Sequence, residues 1–145
     1  MKIGIGSDHG GFELKEEIKK HLKEKDIEYI DYGTNSTESV DYPDYGEAVG
    51  RAVADKEVDR GIVICGSGIG ISIAANKVKG IRCALCSDSF SAKLSRAHND
   101  ANVLALGGRI TGSVLALDIV DTFIEGEFEG ERHLRRTEKL DKINC

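Results

Sequence analysis

The chain has 145 residues, of which 40% are hydrophobic and 31% are charged, and its formal net charge is −5. This size and composition predict one soluble globular domain, residues 1–145. The negative charge argues against nucleic-acid binding, and no apolar stretch approaches the roughly 20 residues of a membrane span. The N-terminus does not resemble a signal peptide, so we expect a cytoplasmic protein.

Short apolar runs alternate with longer amphipathic runs along the whole chain. In chain order, strands are predicted at 2–7, 27–32, 61–65, 82–86 and 103–106, and helices at 11–25, 44–55, 69–78, 89–97, 113–125 and 130–144. The only proline, Pro43, precedes the second helix, where a first-turn proline is favourable. This alternation predicts an α/β fold: a single-domain, Rossmann-like three-layer sandwich with a five-stranded parallel sheet and a C-terminal helix.

A glycine-rich turn follows the third predicted strand, with the sequence Cys65-Gly66-Ser67-Gly68-Ile69-Gly70. Free N–H groups at the start of a helix attract phosphate groups and oxyanions. A helix N-terminus also lowers the pKa of a thiol, which makes Cys65 a candidate catalytic base. The turn lacks the Gly-Lys-Ser/Thr ending of a nucleotide P-loop, and Ile71 breaks the dinucleotide fingerprint. A tight structural turn with a buried cysteine is the alternative interpretation.

Other polar residues follow the first and fifth predicted strands. Asp8 and His9 end the first strand, and Arg109 follows two glycines after the fifth. Ligands of parallel α/β sheets bind beyond the carboxyl ends of the strands, so we expect these residues and Cys65 to border one face. Asp8 could instead cap the first helix. His98-Asn99-Asp100 ends the fourth helix rather than a strand, where a histidine is also electrostatically favourable.

The four cysteines, at 65, 83, 86 and 145, do not form a disulfide or zinc pattern. Cys83 and Cys86 lie in a predicted strand, where side chains three residues apart point to opposite faces. We therefore predict two buried strand cysteines rather than a redox or metal site, and no metal or cofactor.

The C-terminal segment is locally basic, with five Lys or Arg residues against three acidic ones between Glu131 and Lys142. Arg132 and Arg136 are four residues apart, so they share one face of the predicted helix. Two guanidinium groups on one face can clamp a phosphate, although a solvated basic face is the alternative. The position of Tyr42, before Pro43, is compatible with either the core or a site.

Three segments together resemble the type B ribose-5-phosphate isomerases, members of a family of sugar-phosphate isomerases. They are Ser-Asp-His-Gly-Gly-Phe-Glu-Leu-Lys at 7–15, the turn at 65–70, and His-Asn-Asp-Ala-Asn-Val-Leu-Ala-Leu-Gly-Gly-Arg at 98–109. The resemblance covers essentially the whole chain. It implies a metal-free aldose–ketose isomerase on a Rossmann-like sheet, acting on a sugar phosphate. It also implies a homodimer or homotetramer whose active sites are shared between subunits.

The resemblance assigns roles to individual residues. Cys65 would move a proton between C1 and C2, and Ser67 and the amides of the turn would stabilise the enediolate. One branch of the family has a glutamate base just after the turn, but Ile71 stands there in this chain. The implied catalytic residues are Cys65, His98, Asp8 and Ser67, with Asp8, His9 and His98 serving ring binding and opening. The implied substrate-binding residues are His9, Tyr42, Gly66, Gly68, Ile69, Gly70, Asn99, Arg109, Arg132 and Arg136, with the arginines and His9 on the phosphate.

The leading prediction is interconversion of ribose 5-phosphate and ribulose 5-phosphate in the pentose phosphate pathway. An isomerase of galactose 6-phosphate or allose 6-phosphate would share the chemistry and differ in pocket length. A non-catalytic domain that binds a phosphorylated metabolite would bind its ligand tightly without Cys65. A redox protein using Cys83 and Cys86 would form a disulfide, which the predicted strand geometry disfavours.

Overall fold

Five parallel strands form one sheet in a computed structural model that describes residues 1–143. The strands are β1 (Lys2–Ser7), β2 (Glu28–Asp31), β3 (Arg60–Cys65), β4 (Cys83–Leu85) and β5 (Val103–Gly107). The helices are α1 (Phe12–Glu24), α2 (Tyr42–Ala54), α3 (Ile69–Asn76), α4 (Ser89–Asn99), α5 (Ser113–Glu125) and α6 (Arg132–Asp141), and a 3₁₀ turn (His9–Gly11) precedes α1. Within the described residues, no helix has both the length and the apolar character needed to cross a membrane. The predicted α/β fold is confirmed.

Helices cover both faces of the sheet, which gives the predicted three layers. Residues of α1, α4 and α5 join one apolar cluster, and residues of α2 and α3 join the other. Neighbouring residues of β3 alternate between the clusters, because successive side chains of a strand point to opposite faces. Ile62 and Ile64 face α1 and α5, whereas Val63 and Cys65 face α2 and α3.

Most of the predicted elements are found within a few residues of their predicted ends. The bounds of β1 and α5 agree with the prediction, and Pro43 lies in the first turn of α2. The last helix begins at Arg132 rather than at 130, because Gly130 and Glu131 have φ values of 71° and 52° that are incompatible with a right-handed helix. Its predicted end at 144, and Cys145, lie outside the described residues.

The strand order β2-β1-β3-β5-β4 creates a crevice above β1 and β3. The chain leaves β1 toward one edge of the sheet and leaves β3 toward the other, and ligands of open α/β sheets bind at such a switch point. The register pairs Ser7 with Ile64, and Cys65 with Gly107. The carboxyl ends of three neighbouring strands therefore meet at one place.

A buried ion pair supports this carboxyl edge. Lys15 is fully buried, and its Nζ donates to both carboxylate oxygens of Asp31 at 2.7 Å. Asp31 Oδ1 also accepts from the Gly33 amide at 2.8 Å, and the Gly33 carbonyl accepts from the Ser7 amide at 2.7 Å. Burial alone would raise the pKa of Asp31, but the hydrogen bonds from Lys15 and Lys19 outweigh it and hold that pKa below its usual value.

Two arginines organise the opposite, amino edge of the sheet. Arg82 Nε donates to the Asn99 carbonyl at 2.9 Å, and its Nη1 donates to Asp141 at 2.7 Å. Arg96 Nη1 donates to the carboxylate of Asp100 at 2.9 Å and to the Ala101 carbonyl at 2.6 Å. These contacts fix the end of α4 beside the start of β4 and beside α6.

Candidate active site

An open cavity of about 580 Å³ lies at the carboxyl edge, over the crevice. The strand ends predicted to border one face do meet here. The residues that line the cavity are Asp8, Tyr42, Cys65, Gly66, Ser67, Ile69, Gly70, Arg109 and Ile110. Of these, only Ile110 was not a predicted site residue, since an apolar side chain in a turn carries no sequence signal of its own.

Cys65 ends β3 at the floor of this cavity. Its side chain is 5% exposed, and its Sγ accepts a hydrogen bond from the Gly68 amide at 3.2 Å. Gly68 has a φ of 80°, and a Cβ there would lie 2.8 Å from the Leu106 carbonyl carbon. Only glycine fits this position. The turn therefore aims a backbone N–H donor at the sulfur.

The first turn of α3 provides further donors around the cavity. The Ile69 amide donates to Ser67 Oγ at 3.2 Å, and the amides of a first helical turn have no intrahelical acceptor. The Tyr42 ring covers this turn, and a Cβ on Gly70 would lie 2.6 Å from it. The arrangement resembles an oxyanion hole beside a sulfur nucleophile or base.

Asp8 and His9 follow the end of β1 next to this cavity, and Asp8 is one of its lining residues. Asp8 is 7% exposed, and its Oδ1 accepts from the amides of Gly10 and Gly11 at 2.9 and 3.2 Å. Asp8 therefore caps the turn that leads into α1, which was the alternative to a site role, and it also lines the cavity. His9 Nδ1 accepts from the Val40 amide at 3.2 Å. A neutral His9 therefore carries its proton on Nε2, and the loop at 33–42 orients the ring.

The remaining predicted site residues lie at the other edge of the sheet. The 11 residues of α4 run antiparallel to the strands and carry the chain about 16 Å from the carboxyl edge to the amino edge. His98 and Asn99 end that helix, and Arg132 and Arg136 lie on α6, which packs against it. None of the four lines the cavity beside Cys65.

The sequence analysis missed a cluster around His98. The His133 ring stacks on the His98 ring with centroids 4.3 Å apart and planes within 10°. Glu129 Oε1 lies 3.4 Å from His133 Nε2 and 3.9 Å from His98 Nε2. No local sequence signal marks this cluster, because Glu129 lies outside α6, on the other side of the turn at Gly130 and Glu131.

These three side chains offer ligand atoms within 4.8 Å of one another, which the sequence did not predict. Two features make the cluster unsuited to a metal ion. The stacked rings have planes within 10° of parallel, so their nitrogen lone pairs lie in two separate planes and do not converge on one ion. Arg132 and Arg136 surround the cluster with positive charge: burial lowers the pKa of His133 most, and Arg132, His98 and Arg136 lower it further. An anion fits this environment better than a cation.

Cys83 and Cys86 lie on opposite faces of the sheet, as predicted, but only Cys86 is fully buried, and it follows the end of β4 rather than lying in the strand. Cys86 joins the cluster under α1 and α5, and Cys83 packs against the cluster under α2 and α3. Burial raises the pKa of the Cys83 thiol, and raises that of Cys86 to about 11. Both are free thiols. Neither has the character of a redox centre.

The fold and the cavity define a class: an α/β protein with a thiol, a carboxylate and an anion-binding helix terminus at the switch point of a parallel sheet. Comparisons with known proteins narrow the class. The sequence pattern of the Ribose/Galactose Isomerase family matches residues 3–140. The chain belongs to this family, as the three sequence segments predicted.

Individual relatives are similar over nearly their whole length. Ribose-5-phosphate isomerase B of Escherichia coli is 55% identical over 142 residues, which cover 98% of this chain and 95% of that protein. The structure of ribose-5-phosphate isomerase B from Clostridium thermocellum matches with a TM-score of 0.98 at 62% identity, covering 99% of this chain and 97% of that one. The structure of ribose-5-phosphate isomerase B from Mycoplasma genitalium, with bound ribulose-5-phosphate, matches with a TM-score of 0.92 at 43% identity. The match covers 97% of this chain and 94% of that one.

Proposed function

We propose that the chain interconverts ribose 5-phosphate and ribulose 5-phosphate through an enediolate, with Cys65 as the base and no metal ion. The observation that carries the proposal is the contact between Cys65 Sγ and the Gly68 amide, beside the amide donors of the α3 terminus. The relatives that are ribose-5-phosphate isomerases B support the pentose substrate. We further propose that the reaction belongs to the pentose phosphate pathway, and that the enzyme works in the cytoplasm, where sugar phosphates are made.

The proton transfer needs one base and one group of oxyanion donors. The Cys65 thiolate takes the proton from C2 of the open-chain aldose, the C2–H electron pair forms the C1–C2 double bond, and the carbonyl pair moves to O1. Ser67 and the amides of Gly66 to Gly70 stabilise the negative charge that develops on O1. Preorganised donors of this kind contribute about 3–4 kcal/mol each to transition-state stabilisation. The thiol then returns the proton to C1, while the proton on O2 leaves and O1 is protonated, which gives the ketose.

A furanose substrate must first open. We assign this step to Asp8 and His98, with His9 positioned beside them and Asn99 holding sugar hydroxyls. His9, Arg109, Arg132 and Arg136 are assigned to the phosphate. Holding the non-reacting phosphate supplies binding energy that positions C1 and C2 at the base.

We propose that a second copy of the chain completes the site. The thiol half of the site lies at the carboxyl edge, whereas His98, Asn99 and the α6 arginines end at the amino edge. Residues separated in this way serve one substrate only if the partner's amino edge meets this carboxyl edge. Exposed apolar side chains beside the cavity support such a contact, with Ile69 54% and Ile110 67% exposed. A twofold dimer would contain two such sites, and a tetramer four.

The test is turnover of ribose 5-phosphate, galactose 6-phosphate and allose 6-phosphate in EDTA by the wild type and Cys65→Ala, with Cys83→Ala as a control that removes a thiol far from the cavity. We expect wild-type activity that prefers the pentose, is lost in Cys65→Ala, and is kept in Cys83→Ala. Activity only on a hexose phosphate would retain the mechanism and change the substrate. Undiminished turnover by Cys65→Ala would contradict the thiol mechanism.

A further inference from the structure

The loop between α5 and α6 folds a carboxylate back onto the stacked histidines. The backbone amide of Glu129 donates to the Ala97 carbonyl at 3.0 Å, which anchors residue 129 next to His98. Gly130 and Glu131 both have positive φ, and the His133 amide donates to the Gly130 carbonyl at 3.0 Å. This tight turn holds the Glu129 side chain over the Nε2 atoms of both rings.

His133 is buried, and within residues 1–143 its Nε2 has no hydrogen-bond partner. The residue is 6% exposed, and no described group meets hydrogen-bonding geometry with this nitrogen. The carboxylate of Glu129, 3.4 Å away, is the nearby group that can compensate it. Since a buried polar atom left unpaired is costly, the contact is one that a bound substrate or a small movement would tighten.

Glu129 places a negative charge among groups that are otherwise cationic or neutral. Arg132 and Arg136 of α6 are positive, and the rings of His98 on α4 and His133 on α6 face each other. Both arginines lower the pKa of His133, after the larger effect of burial, and Glu129 is the group that acts in the opposite direction. In the shared site proposed above, the partner would add Asp8, His9 and Cys65.

We propose that Glu129 is a positioning residue that keeps one proton on the His98–His133 pair, so that His98 can act as the acid in ring opening. The inference rests on the proposed function. In that step the pair's proton moves to the ring oxygen as the bond from C1 to that oxygen breaks. The proton of the C1 hydroxyl leaves to a base, and the C1 aldehyde forms.

The test separates ring opening from enolisation. Ribulose 5-phosphate has no furanose form, because its C5 oxygen carries the phosphate. Exchange of its C1 protons with deuterated solvent therefore reports on the thiol chemistry without the ring step. The variant is Glu129→Gln, which keeps the shape and removes the charge, and the control is Glu127→Gln, which removes a neighbouring charge from the same loop.

For Glu129→Gln, we expect turnover of ribose 5-phosphate to fall at neutral pH, and the alkaline limb of its pH profile to move down by about half a unit to one unit. The limb moves to lower pH because the Glu129 carboxylate stabilises the protonated form of the His98–His133 pair. Without that charge, the pair loses its proton at a lower pH. The titration midpoint of the His133 imidazole, followed by NMR, should fall by a similar amount. Deuterium exchange into ribulose 5-phosphate should stay within about twofold of wild type, and Glu127→Gln should move none of these.

An unchanged alkaline limb in Glu129→Gln would overturn the proposal, and so would equal losses in turnover and exchange, since the residue would then act only on structure. A shift of the same size in Glu127→Gln would also overturn it. If the wild type fails to convert ribose 5-phosphate at all, the proposed function fails. The NMR midpoint of His133 still tests the contact with Glu129 in that case.

Discussion

The two edges of the sheet are built in different ways. At the carboxyl edge, the candidate site residues lie in short turns directly after buried strands, and backbone amides donate to their side chains. At the amino edge, they sit at helix ends and are carried by cationic side chains, with two stacked rings between them. The first edge has the features of a reaction centre, and the second those of an anion-recognition surface.

This difference explains why the predicted site residues of one chain fall into two separate groups. Turns after neighbouring strands converge because the sheet register brings their ends together. Helix ends are carried back to the opposite edge, because each helix runs antiparallel to the strands it connects. Joining the two kinds of edge therefore takes a second copy of the chain in the account proposed here.

The largest expected effect falls on the carboxyl edge. Cys65→Ser preserves the size of the side chain but replaces the thiolate with a hydroxyl that remains protonated at neutral pH. We expect kcat to fall by about 10²–10⁴-fold, the usual contribution of a positioned acid–base group. Steady-state kinetics and thermal unfolding would be measured together, with Cys83→Ser as the matched control. Loss of activity in Cys83→Ser of the same size would show a general sensitivity to thiol removal.

The support beneath that edge is expected to matter for stability. Asp31→Asn leaves the fully buried Lys15 ammonium without its nearer charged partner, the one that accepts its hydrogen bonds at 2.7 Å. Breaking a buried pair in this way costs about 3–5 kcal/mol of the free energy of unfolding. Urea denaturation at pH 7 would measure it. Glu16→Gln is the control, because its carboxylate lies 3.6 Å from Lys15 and is partly exposed. An equal loss in both variants would mean that Asp31 has no special role.

The same residue sets a pH dependence. The pKa of Asp31 is lowered in the folded protein, so its stabilising effect is present above its unfolded value of about 4 and is lost as the pH falls through the lower folded value. We expect the wild type to lose more stability between pH 6 and pH 3 than Asp31→Asn does, in urea titrations at several pH values. Parallel curves for the two proteins would contradict this assignment.

Substitutions at the amino edge are expected to change KM more than kcat. Arg136→Ala removes a charged donor from the proposed phosphate clamp, an interaction worth about 1.5–3 kcal/mol. We expect KM for ribose 5-phosphate to rise about tenfold or more, with a smaller change in kcat. Arg135→Ala removes the same charge from the neighbouring position of α6. If both variants raise KM equally, the effect comes from net charge and not from a clamp.

The smallest effect concerns the turn that positions the amino edge. Glu131 has φ 52° and ψ −123°, a region that favours glycine. Glu131→Gly should therefore raise the free energy of unfolding, by about 1 kcal/mol. Glu131→Ala removes the charge but keeps the Cβ, so it should give no such gain. Chemical denaturation of both variants distinguishes relief of backbone strain from removal of a negative charge.

The sequence was sufficient for the fold and for the carboxyl edge. The hydrophobic periodicity and the turn residues between the apolar runs located all five strands. The rule that ligands bind at the carboxyl ends of strands then predicted that Asp8, Cys65 and Arg109 lie close together. The resemblance added His98 and the α6 arginines. Their spatial separation from Cys65 follows from the direction of α4, which runs from the carboxyl edge back to the amino edge.

Other features had no local signal in the sequence. The burial of Lys15 depends on Asp31, a residue 16 positions away on another element. The stack of His98 on His133 depends on a turn at Gly130 and Glu131, and a glutamate gives no sign of a positive φ. These contacts join residues that are far apart in the sequence and meet only when the elements pack together. Periodicity and spacing within one segment therefore do not reveal them.

The shared site is tested most directly by mixing two inactive variants, Cys65→Ala and His98→Ala, after dissociation and reassociation. If each site combines one carboxyl edge with the partner's amino edge, every mixed dimer contains one intact site, and random pairing restores about a quarter of wild-type activity. Mass spectrometry would verify that mixed dimers form. Mixed dimers that remain as inactive as either parent would contradict the account.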